Sequence, residues 1–75
     1  MEKFIELFAE QFDEIDVTLL KPETRFRELE EWSSLVALLV ITMVDDEYGV
    51  VLPPEEMRKT QTIQELFDLV QSKLW

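Results

Sequence analysis

The sequence contains no cysteine, no histidine and a single glycine among its 75 residues. Without the first two there is no disulfide, no thiolate nucleophile, no Ser-His or Cys-His pair and no ordinary zinc site. One glycine is too few for a P-loop or a dinucleotide-binding loop, which need several for close backbone approach to phosphate. Basic side chains are also scarce. Seven Lys and Arg stand against 17 Asp and Glu, a formal net charge of -10, which repels nucleic acid and anionic membranes and suits a soluble monomer whose partners present basic patches. No apolar run is long enough to cross a bilayer: Leu35 to Val44, broken only by Thr42, is about half of the roughly 20 residues required. Met1-Glu2-Lys3 leads straight into an acidic amphipathic segment rather than a secretory signal, so a cytoplasmic location is expected. A chain with this inventory is not expected to be an enzyme, and any chemistry must be supplied by a cofactor or a partner.

What is present is helical periodicity. The apolar fraction of 47% is that of a globular protein, and the chain length allows one domain, residues 1–75, with one modest core. Phe4, Leu7, Phe8, Phe12 and Ile15, with Glu6, Glu10, Asp13 and Glu14 between them, predict a first helix from Glu2 to about Ile15. The period then fails from Asp16 to Glu31, where Pro22 disfavours helix at Lys21. Such a long connection needs pins, and Phe26 and Leu29 are the candidates. A second helix is expected from Ser33 or Ser34 to Tyr48, with Gly49 as its left-handed stop. After Pro53-Pro54, Glu55 to Lys59 suggests a short helical turn. Thr62-Ile63-Gln64-Glu65 reads as a capping box that opens a last helix, with Ile63, Leu66, Phe67, Val70 and Leu74 on its apolar face. The fold class is therefore all-α, a small bundle of three longer helices and one short one.

Ser34 falls where its hydroxyl would be exposed at the positive end of a helix, a position that suits an anion. By itself a Ser-Ser pair at a helix start is most simply a cap. The surrounding residues add to this. Lys21-Pro22-Glu23-Thr24-Arg25-Phe26 resembles the loop after the first helix of the acyl carrier protein family, and Leu29-Glu30-Glu31-Trp32-Ser33-Ser34-Leu35 resembles the segment holding that family's Asp-Ser-Leu attachment motif. Asp45-Asp46-Glu47-Tyr48-Gly49, Leu52-Pro53 and Thr62-Ile63 are similar to the family's later landmarks without a gap in spacing.

The resemblance implies an acyl-carrier-protein-like fold. It also implies that Ser34, rather than Ser33, accepts a covalent 4'-phosphopantetheine arm from coenzyme A through a phosphopantetheinyl transferase. The arm's thiol would carry acyl or aminoacyl groups as thioesters for partner enzymes, which accounts for thiol chemistry in a chain without cysteine. Two residues depart from the family pattern. Ser33 replaces the aspartate that normally precedes the modified serine, and Val36 and Leu39 stand where the second helix commonly carries acid. The peptidyl branch usually shows glycines before its serine, and Glu30-Glu31-Trp32 has none, which leans toward an acyl cargo. Trp32 is read as an anchor of the loop on the core, and Asp45-Asp46-Glu47 as a solvated face with no metal.

On the second helix, steps of about 100° place Ala37, Val40, Ile41, Val44 and Tyr48 on one arc, expected to be core. Leu35, Val36, Leu39, Thr42, Met43 and Asp46 fall on the opposite arc, expected to be a partner-binding surface or to be covered by the long loop. The alternative function from the residues alone is an unmodified acidic interaction module that docks a basic partner.

Overall fold

The structure is a computed structural model that describes residues 2–12 and 14–74. Four α-helices follow in order: α1 (Glu2–Ala9), α2 (Ser34–Tyr48), α3 (Pro54–Met57) and α4 (Ile63–Lys73). Two 3-10 turns, Val17–Leu19 and Phe26–Glu28, interrupt the connection between α1 and α2. The described residues contain no strand, so the chain is all-helical as its periodicity predicts.

The first helix is shorter than its apolar spacing suggests. Beyond Ala9 the bonds Gln11 N–H to Phe8 O and Phe12 N–H to Ala9 O close three-residue rings, so the last turn tightens, and Gln11 Nε2 donates to the free carbonyl of Leu7. This tightening still turns Phe12 into the core while Ile15 stays half-buried. Asp13, also expected on this helix, lies outside the described residues.

Aromatic packing holds the long connection. Phe26 is fully buried, and Leu29 packs against the core, so both expected pins serve; Leu20, which the broken period concealed, is a third. Trp32 meets Phe26 edge-on at 4.8 Å between ring centres and lies parallel to Phe8 at 6.2 Å. Such pairs contribute about 0.5–1.5 kcal/mol each beyond their buried area, enough to fix a segment with little backbone order. The connection is also tied to α4. Helix starts leave their first N–H groups without partners, and here Ile63 N–H donates to Thr24 O and Gln64 N–H to Pro22 O, at 3.1 and 2.8 Å.

The α4 cap differs in detail from a capping box. Thr62 Oγ1 accepts from Glu65 N–H, but the Glu65 carboxylate reaches back to Gln61 N–H rather than to that of Thr62. Ile63, Leu66 and Val70 are buried and Phe67 is half-buried, whereas Leu74 sits past the last turn and is exposed, which corrects its assignment to the apolar face. The short helix begins one residue earlier than expected, with Pro54 at its first position and Met57 buried; Glu56 pairs with Lys73 at 3.1 Å, joining α3 to the end of α4.

The second helix brings the main correction. Its buried residues are Val36, Val40, Met43 and Val44, at i, i+4, i+7 and i+8. Val36 and Met43, expected on the outer arc, are therefore core. Ala37, Ile41 and Tyr48, expected inside, are only partly buried. The physical reason is that α2 is apolar nearly all round, so its sequence has no polar stripe to set the phase. The packing partners set it instead, and they turn the core seam toward Val36 and Met43.

Candidate functional site

The start of α2 is built by Ser33. Its backbone is extended (φ -151°, ψ 171°), and its Oγ accepts from Val36 N–H at 3.2 Å, the geometry of an N-cap. The Ser33 carbonyl also accepts from Ala37 N–H at 2.9 Å. One serine hydroxyl is thus used for capping, and the next is free for other work. Ser34 is the first residue of α2, it is exposed, and among the described residues its hydroxyl takes part in no hydrogen bond. The two serines that the sequence leaves nearly equivalent are separated by structure.

Ser34 borders a cleft of about 530 Å³. Phe26, Trp32, Ala37, Leu38, Ile41 and Met57 form its walls, and Pro54 closes the α3 side. The partial exposure of Ala37 and Ile41 is explained by this cleft, because the flank of α2 expected in the core lines a cavity instead. The polar rim consists of Ser33, Ser34, Arg27 and Arg58, and Arg27 Nη1 donates to the Arg58 carbonyl across it. Reading the sequence missed Leu38, Arg27 and Arg58 as neighbours of Ser34. Leu38 could have been found in the Leu35 to Val44 run; the arginines come from distant segments, and no local pattern points to them.

The surface arc of α2 is narrower than its spacing suggests. Leu35 is 67% exposed, Leu38 58% and Leu39 40%, and Thr42, Asp45 and Asp46 are exposed beside them. Val36 and Met43 leave this surface because they are buried. Leu35 and Leu39 therefore lie uncovered by the long connection, on a surface that runs from the start of α2 toward its acidic C-terminal end.

These features fit a phosphopantetheine arm. The Ser34 hydroxyl is exposed and unengaged at a helix N-terminus, and an open, mostly apolar cleft begins at the same residue. Comparison with known proteins agrees. The family described as "Phosphopantetheine attachment site" matches residues 2–70. An acyl carrier protein of Thermosynechococcus vestitus is 31% identical over 74 residues, 99% of this chain and 90% of the relative. That of Rubrobacter xylanophilus is 35% identical over 72 residues, 93% of this chain and 85% of the relative. An acyl carrier protein of Myxococcus xanthus is 25% identical over 56 residues, 75% of this chain and 71% of the relative. No solved structure matches the chain.

Proposed function

The chain belongs to the acyl carrier protein family, carriers rather than enzymes that bear 4'-phosphopantetheine covalently on a serine, and from that membership we propose that the serine is Ser34 and the cargo an acyl group. The observation that carries the assignment is the division of labour at the start of α2: Ser33 Oγ is occupied as the cap, while the Ser34 hydroxyl is exposed and free. When bound, the arm supplies a terminal thiol on which an acyl group is held as a thioester. The contribution of the protein is to hold Ser34 at the rim of the cleft, so that an apolar cargo can leave water against Phe26, Leu38, Ile41 and Met57.

Members of this family work with phosphopantetheinyl transferases and acyl-handling enzymes. The whole chain acts here as one carrier domain, and its docking surface for these enzymes is the exposed arc of Leu35, Leu38, Leu39, Thr42 and Asp46. Three leucines at the helix surface favour apolar contact, and Asp45, Asp46 and Glu47 steer a basic partner toward that end. The net charge of -10 opposes self-association and supports a monomer. A fatty or polyketide-type acyl group is favoured over an aminoacyl one, because apolar side chains form the walls of the cleft and, among the described residues, no carboxylate borders it to pair with an ammonium group.

The test is incubation with coenzyme A and a broad-specificity phosphopantetheinyl transferase, followed by intact mass. Wild type should gain one phosphopantetheinyl unit and Ser34→Ala none. A gain that persists in Ser34→Ala, or that maps to Ser33, would overturn the assignment.

A further inference from the structure

Cations are the scarce charge in this molecule, yet among the described residues the cleft at Ser34 is bordered by Arg27 and Arg58 and by no carboxylate. Another cleft, of about 490 Å³, has the reverse character: among the described residues Glu14, Asp16 and Glu31 border it and no basic residue does. Among the described residues the two ion pairs are Arg25 with Glu28 and Lys73 with Glu56, so neither Arg27 nor Arg58 is neutralised by a carboxylate. The Arg27 guanidinium is tied to the backbone of Arg58 by its hydrogen bond to the Arg58 carbonyl. That bond links the Phe26–Glu28 turn to the C-terminal end of α3. Two arginines without a carboxylate partner among the described residues, on one rim of a chain with net charge -10, make a site for an anion.

We propose that Arg27 and Arg58 form an anion site for the phosphodiester attached to Ser34, which positions the arm along the cleft between α2 and α3. The inference rests on Ser34 as the attachment residue. A tethered anion could also be a carboxylate at the far end of a dicarboxylic cargo. The phosphodiester is favoured because it is joined directly to Ser34, on the same cleft rim as the two arginines, and is present whatever the cargo.

The experiment compares the thermal midpoints of unmodified and modified protein at low salt, in wild type, Arg27→Gln, Arg58→Gln and the double variant. Subtracting unmodified from modified removes any cost of losing the Arg27 hydrogen bond itself. Adding a negative charge to a chain already at -10 should lower stability unless local cations receive it. Wild type should therefore keep or raise its midpoint on modification, each single variant should lose part of that benefit, and the double variant should fall. The difference between wild type and double variant should shrink as salt is added. Trp32, which lines the same cleft, gives a second readout in a Trp75→Phe background: its emission should change on modification in wild type and much less in the double variant. Equal midpoint shifts in all four proteins would overturn the arginine assignment while leaving Ser34 intact. Mapping of the modification to another residue would overturn both. A third arm compares butyryl-loaded with succinyl-loaded protein; arginine dependence seen only with succinyl would assign the site to a cargo carboxylate and overturn the phosphodiester reading.

Discussion

At the scale of single residues, Ser33 explains how the chain departs from its family without losing the helix start. Aspartate and serine are comparable N-caps, so the replacement keeps the bond to Val36 N–H and gives up only the carboxylate. Ser33→Ala should then cost about 1 kcal/mol of stability, within the 0.5–2 kcal/mol range for a lost cap, as read by urea unfolding. Ser33→Asp should unfold within about 0.5 kcal/mol of wild type and accept phosphopantetheine faster; a slower or unchanged rate would show that the carboxylate is not what the transferase uses. The serine we propose for attachment could be singled out in the sequence because its signal is local: Trp32-Ser33-Ser34-Leu35 at a helix start, in family register. Arg27 and Arg58 were not legible, since only the packing of the Phe26–Glu28 turn against the end of α3 brings them to the same rim.

At the scale of elements, boundaries marked by caps were readable and a helix without a polar face was not. Ser33, Gly49 and Thr62 end or begin helices as their chemistry dictates, and Gly49 takes the left-handed conformation (φ 66°) that glycine adopts freely. The rotation of α2 was another matter, because Leu35 to Val44 offers nearly equivalent apolar stripes and the aromatic cluster decides between them. Two substitutions on that helix separate its faces. Leu39→Glu, at a side chain 40% exposed, should change stability by about 0.5 kcal/mol or less while slowing loading or transfer by the cognate enzyme. Met43→Ala, at a side chain 5% exposed, should cost about 2–5 kcal/mol by leaving a cavity. Comparable losses from both would mean that Leu39 is packed and would remove the docking surface.

At the scale of the whole molecule, charge dominates. With a net charge of -10, thermal stability at neutral pH should rise as salt is added, and also as pH falls from 7 toward about 5 and carboxylates begin to take up protons. Melting curves that ignore salt would show that repulsion does not limit this fold. Further acidification works the other way at Asp16. The Thr18 hydroxyl, then the Thr18 backbone N–H, hold its carboxyl below the usual range. That contribution is present above the ordinary carboxylate pKa and is lost as pH falls through the lowered folded value. At the alkaline end, burial and then the charge of Glu47 raise the Tyr48 phenol. Its contribution is complete below the unfolded value near 10 and is lost as pH rises through the folded one. The bonds from Ile63 and Gln64 to the carbonyls of Thr24 and Pro22 bear on how this fold is completed in time. During synthesis the early connection emerges long before the segment that satisfies it, so the first half of the chain waits with two acceptors unfilled. Loop closure between distant segments has an entropic cost that local helix formation does not. Arrival of α4 is therefore the event that locks the connection leading to Ser34, and Ser34 on a half-made chain lacks its finished setting until the C-terminal segment docks.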